Sequence, residues 1–276
     1  MSRTVRPLLG GVLTAVVVLS GCAAQVGGVA VGVDAGGEQT MAPTTGGGTD
    51  GDVQQFVALI ADGMSGVTSY EGKISTDLGG TAGAGGSLVG TLRGTVKDGK
   101  AENSEATMGI GVGAQSIEVT VLMVRTKTYL GGESLLQVVP GAQGKTWVHA
   151  DPNSSTPVIK RLAASMSAAG GNNSSIESFT TFAQAAKSVE KGGTSTVNGE
   201  DVTAYMVELD PAKLGSSAPA ASSAMAMFYL DGDNRMRRVE VDVTASGVKV
   251  VVTLDMTDYN TPVDISAPDP SDVYSG

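Results

Sequence analysis

The chain changes register several times in the spacing of its apolar positions. Val53, Phe56, Val57, Ile60 and Met64 recur at helical spacing, with Gly66 just beyond, and predict a helix over Asp52–Met64. Thr156-Pro157 reads as a second helix start, a capping residue followed by proline in the first turn. Its stripe is Ile159, Leu162, Ala163 and Met166, ending before Gly170-Gly171. A third helix is expected over Ser175–Lys191, with Ile176, Phe179, Phe182, Ala183, Ala186 and Val189 inward and Gly192-Gly193 closing it.

Most of the remaining chain alternates with period two. Ile117, Val119, Val121 and Met123 share one face, opposite Glu118 and Thr120. Val239, Val241 and Val243 oppose Glu240, Asp242 and Thr244, and Val248, Val250, Val252, Leu254 and Met256 form a further apolar row. Asp231-Gly232-Asp233-Asn234 and Ser246-Gly247 supply turns between the last three strands, while Asp98-Gly99 and Asn198-Gly199 mark two more hairpins. The pattern predicts an α+β fold: a curved antiparallel sheet of about ten strands, with about three helices covering its concave face. A sheet this wide with one apolar face must curl, and its inner face must be covered. Incomplete cover by so few helices would leave an apolar cavity of the kind in which ligands bind. Its expected lining is Phe56, Ile60, Ile159, Leu162, Met166, Phe179, Phe182, Val239, Val241, Val250 and Val252.

The first 22 residues follow a different rule. Arg3 and Arg6 precede an apolar stretch from Leu8 to Leu19, which ends in Leu19-Ser20-Gly21-Cys22. The stretch is too short to span a bilayer as a helix, which takes about 20 residues, and has the proportions of a secretory signal. Leu-Ser-Gly-Cys resembles the bacterial lipobox, which implies that residues 1–21 are removed and that Cys22 is lipidated. Cys22 is the only cysteine of the chain, and it stands where that resemblance requires it. Two acyl chains at about 0.8 kcal/mol per buried CH₂ give stable anchoring where one chain would be marginal. The expected location is the extracytoplasmic face of the cell membrane. Residues 22–51 then form a glycine-rich tether with no aromatic residue, and 52–276 a single domain.

Composition removes several chemistries. One cysteine and one histidine exclude an internal disulfide and a multi-histidine or multi-cysteine metal site. A formal charge of −10 speaks against a nucleic-acid partner. Neither a phosphate-binding loop nor a nucleophile elbow is present in the sequence, and Gly109-Ile110-Gly111-Val112-Gly113 lacks dinucleotide-binding spacing. His149 reads as a strand-end residue, and Asp231-Gly232-Asp233-Asn234 lacks the downstream glutamate of a calcium loop. No catalytic residue, metal or cofactor is expected, so the chain reads as a non-enzyme. The ten methionines after the amino terminus suit either an adaptable apolar cavity or ordinary core filling.

Gly144-Lys145-Thr146-Trp147-Val148, the run Thr194–Leu209 and the tail from FYLDGDNRMRRVEVDV to DYNTPVDISAPDPSDV resemble the actinobacterial LolA/LolB-like lipoproteins. Within that family the chain is similar to the mycobacterial LprG/LppX group. The resemblance implies a half-open barrel with helices in its mouth, and an acyl lipid or glycolipid carried in a hydrophobic cavity and helped toward the outer envelope. An envelope sensor or protein-interaction module, with a membrane or regulatory protein as partner, uses the same architecture and is the alternative.

Overall fold

A computed structural model describes residues 50–78, 87–112, 115–168, 183–214, 221–245 and 248–276. Leu19-Ser20-Gly21-Cys22 and nearly all of the expected tether lie outside the described residues. Helix α1 spans Asp50–Ser65, starting two residues before the expected Asp52. Its stripe of Phe56, Ile60 and Met64 is buried, as the spacing requires.

Among the described residues, twelve strands form one sheet. The first five are β1 (Ser69–Leu78), β2 (Ser87–Lys97), β3 (Lys100–Val112), β4 (Gln115–Val124) and β5 (Lys127–Gly131). After α2 (Glu133–Val138) come β6 (Trp147–His149) and α3 (Pro157–Ala168). The second run is β7 (Ala186–Val197), β8 (Glu200–Leu209), β9 (Ala221–Leu230), β10 (Met236–Ala245) and β11 (Val248–Tyr259), and β12 (Val273–Tyr274) ends the chain. Their order across the sheet is β12-β6-β5-β4-β3-β2-β1-β11-β10-β9-β8-β7. Two meanders, each built from neighbouring hairpins, are therefore joined edge to edge by the long-range pair β1–β11.

Local chemistry sets the hairpins. Asp98-Gly99 and Asn198-Gly199 both have positive φ at the two central positions, the backbone a tight two-residue hairpin needs. Asp231-Gly232-Asp233-Asn234 turns β9 into β10, with Asn234 at φ 60°. The Ser246-Gly247 turn lies outside the described residues, although β10 and β11 pair up to Ala245 and Val248 on either side of it.

The curved antiparallel sheet is as expected; the strands beyond about ten are β6 and β12, which at three and two residues are too short to show a period. Among the described residues β12 pairs in parallel with β6, Val273 opposite Trp147. One expectation is corrected. The third helix does not reach Lys191, since Ala186 onward is strand β7. Pairing with β8, initiated at the Asn198-Gly199 hairpin, overrides the helical spacing there. Gly192-Gly193 falls at a register shift between Lys191 and Thr194, so the glycines bend a strand instead of ending a helix.

The core has three parts. The largest lies on the concave face and combines residues of every long strand with Phe56, Ile60 and Met64 of α1, Leu135 of α2 and Ala163 of α3. A second small cluster joins Val139, Ala142, Val148 and Ile159. The third sits on the opposite face, where the chain after β11 lays Ile265 over Leu122 and Tyr129. The expected architecture, an open curved sheet with helices covering the concave side, is the one observed.

Candidate functional site: the concave face

Residues directly opposite in paired strands point to the same face, so the register defines rows across the sheet. One row runs Ile74, Leu254, Val239, Phe228 and Tyr205 from β1 through β11, β10 and β9 to β8. Two residues along each strand, the next row runs Thr76, Val252, Val241, Ala226 and Val207. Together they form a floor, apolar apart from Thr76, roughly five strands, or about 20 Å, wide at the usual strand spacing.

Helix α1 lies over this floor. Phe56 packs edge-on against Phe228, ring centres 5.2 Å apart, and tilted against Tyr205 at 5.4 Å. Such pairs add about 0.5–1.5 kcal/mol beyond the area they bury. Ile60, one turn on, is fully buried in the same cluster. Around the covered region Val53, Val57, Val243 and Val252 are only partly buried, so the apolar surface continues from the core to its rim.

The far end of α1 is held differently. Gly63 lies against the β9–β10 turn so closely that a Cβ there would fall 2.1 Å from the Asn234 carbonyl oxygen. Only glycine permits that approach. The turn is in turn fixed by Asp231. Its carboxylate accepts from the Asp233 and Arg235 amides, each at 2.9 Å, and from the Arg237 guanidinium at 2.8 Å. Arg237 also reaches Glu200 at 2.6 Å and stacks over the Tyr259 ring, its guanidinium carbon 5.4 Å from the centre. The Tyr259 hydroxyl donates to the Met236 carbonyl. Burial alone would push the Asp231 carboxyl up, but the Arg235 amide, the Arg237 guanidinium and the Asp233 amide together hold it below the ordinary range. Burial also raises Tyr259, keeping the phenol neutral and able to donate.

The sequence-derived candidates separate on this geometry. Phe56, Ile60, Val239, Val241 and Val252 meet in the concave-face cluster. Val250 is buried one step further along β11, opposite Val243. Ile159 belongs elsewhere, in the second cluster with Val139, Ala142 and Val148, because α3 turns that side toward β6. Leu162 and Met166 lie on α3, but their side chains fall outside the described ones, as do Phe179 and Phe182. His149 ends β6 with its ring 5.5 Å from that of Tyr129. The methionines that are fully buried, Met108, Met236 and Met256, are packed into the core as filling.

Sequence reasoning passed over Thr76. It occupies an inward position of β1 between Val252 and Leu88, is 2% exposed, and its hydroxyl has no hydrogen-bond partner among the described residues. The signal was present in Lys73-Ile74-Ser75-Thr76, whose alternation turns Ile74 and Thr76 to one side. Among the described residues no cluster of side chains could hold a metal ion, and no helix is long and apolar enough to cross a membrane.

Neither a protein-family model nor a curated protein matches the chain in sequence. Solved structures do match. LprF from Mycobacterium bovis superposes with a TM-score of 0.50 at 11% identity, covering 81% of this chain and 99% of that one. The Mycobacterium tuberculosis lipoprotein LppX gives 0.49 at 14% identity, over 79% of this chain and 100% of the other. A putative outer-membrane lipoprotein-sorting domain from Vibrio parahaemolyticus gives 0.31 at 9% identity, over 77% and 95%. The chain thus has the α+β half-barrel fold of LprF.

Proposed function

We propose that this chain is an exported lipoprotein, anchored to the outer surface of the cell membrane through a lipidated Cys22. Its domain binds or transfers an acylated lipid or glycolipid against the concave face and catalyses no reaction. The observation that carries the reading is the face itself: two successive cross-strand rows over five strands are apolar apart from Thr76, and α1 lies over them. The strands are tied to one another by backbone hydrogen bonds, whereas α1 rests on them chiefly through side chains, so the cover can shift while the floor stays. Phe56, Ile60, Val239, Val241, Val250 and Val252 are the proposed lining. Acyl chains laid there would gain about 25 cal/mol for each Å² of apolar surface removed from water. The fold shared with LprF and the Leu19-Ser20-Gly21-Cys22 sequence support the reading from two independent directions.

Native mass spectrometry on the full chain carrying Cys22→Ser, purified without detergent from an actinobacterial envelope, tests it. A stoichiometric acyl lipid released on extraction is the expected result. An apo mass that takes up none of the lipids offered would overturn the carrier reading in favour of a protein-interaction module of the same fold. Metabolic labelling with a fatty acid, retained by the wild type and lost in Cys22→Ser, tests the anchor separately.

A further inference from the structure

We infer that the Thr76 hydroxyl is a polar anchor for a bound lipid and donates a hydrogen bond to an ester carbonyl within the apolar face. The inference rests on the lipid-binding reading and narrows it to ester-linked acyl lipids.

Thr76 is singular in its row. From β2 to β8 the register reads Leu88, Thr76, Val252, Val241, Ala226 and Val207, five aliphatic side chains and one hydroxyl. The residue two positions back, Ile74, is apolar and buried as well. Strand β1 is paired on both sides, so the backbone groups around the hydroxyl are committed to the ladder. Buried hydroxyls are hydrogen-bonded in the large majority of proteins, and one that is not calls for a cause. Valine has the same shape, favours strands equally and would leave nothing unsatisfied.

The row also selects the partner. A trapped water needs roughly 2–4 polar neighbours, and Leu88, Val252 and Ile74 offer none. A charged or sugar headgroup would lose most of its hydration against these side chains and regain a single bond. A hydrocarbon tail leaves the hydroxyl as it is. An ester carbonyl is the group that an acyl lipid carries at the edge of its apolar mass, and it accepts without needing to donate. Thr76 stands beside Val252, the one side chain of this row that is not fully buried, so the cover over the face is incomplete next to the hydroxyl.

The test uses the full chain with Cys22→Ser, titrated with a diacyl glycerolipid and its dialkyl ether counterpart. One hydrogen bond is worth a factor of roughly 2–13 in affinity. Thr76→Val is expected to weaken the diacyl lipid by that factor and leave the ether lipid unchanged, while Thr76→Ser keeps the preference. In the infrared, an isotope-labelled ester carbonyl should absorb at lower frequency when bound to the wild type than when bound to Thr76→Val. Equal binding of the diacyl lipid by wild type and Thr76→Val, or equal loss for both lipids, overturns the anchor and leaves lipid binding intact. Failure of the wild type to bind either lipid overturns the lipid-binding reading itself.

Discussion

Two buried polar spots lie on the same side of the sheet and are built in opposite ways. At the β9–β10 turn, Asp231 and Arg237 have side chains 7% and 10% exposed and answer each other, with amides, Glu200 and Tyr259 taking up the remaining valences. At Thr76 a single hydroxyl is sealed among aliphatic side chains with none of its capacity used among the described residues. The first cluster holds the fold at the place where α1 meets the sheet. The second contributes nothing to holding the isolated fold and makes sense only with something else in the row. Satisfaction, more than burial, separates a structural polar group from one kept for a ligand.

Breaking the satisfied cluster should have the largest effect. Asp231→Asn keeps the amide contacts but leaves Arg237 buried with only the half-exposed Glu200, and loss of one partner of a buried pair costs roughly 3–5 kcal/mol. Thermal or denaturant unfolding at neutral pH measures it, and a loss within experimental error would show that Glu200 alone suffices. The pH dependence has a definite sign. Because the folded carboxyl of Asp231 titrates below its unfolded value, its stabilisation is complete above the ordinary aspartate pKa. It is lost as pH falls through the depressed folded value, so the gap between wild type and Asp231→Asn should close in acid and stay constant above about pH 5.

Gly63→Ala tests the contact that this cluster supports. Inside a helix the change to alanine gains about 1 kcal/mol of propensity. The new methyl meets the backbone of Asn234 at 2.1 and 2.4 Å, however, and neither atom belongs to a flexible side chain. Relief requires α1 or the turn to move, at the typical 1–3 kcal/mol of overpacking, so a net loss of about 1–2 kcal/mol is expected. Gly66→Ala is the control: nothing lies within 4 Å of its Cβ position. Unfolding that ranks the two variants in the reverse order would show that the turn does not hold the helix.

Much of this architecture was legible because it is locally encoded. Asp98-Gly99 and Asn198-Gly199 announce their turns by chemistry, and the valines of β10 and β11 announce their face by alternation. The stripe from Phe56 to Met64 needed only its spacing. What escaped depends on distant partners or on very short elements. Nothing near Ser69–Leu78 says that it pairs with a strand about 180 residues away, which joins the two meanders. Ala186–Lys191 carries helical spacing and became strand because β8 was waiting beside it. In the candidate site, Phe56 and Ile60 followed from apolar pattern, but Ile159 fits the same pattern and packs elsewhere. Thr76 was passed over for a converse reason: its alternation with Ile74 was there to read, but a search for apolar lining skips the one polar residue in the row.

The smallest effect discriminates most sharply between the two spots. In the lipid-free protein Thr76→Val should be stabilising, because it removes an unsatisfied hydroxyl and fills the same volume. Releasing such a group recovers about 1 kcal/mol, the lower end of its desolvation cost. For a domain of this size that corresponds to a rise of roughly 2–4 °C in Tm. Saturating diacyl lipid should shrink or reverse the difference, since the wild type alone then gains the hydrogen bond and binding raises stability in proportion to affinity. The sign is opposite to that at Asp231, where every polar deletion costs. A Thr76→Val chain that melts below the wild type without lipid would mean that the hydroxyl already has a partner, and the contrast between the two spots would dissolve.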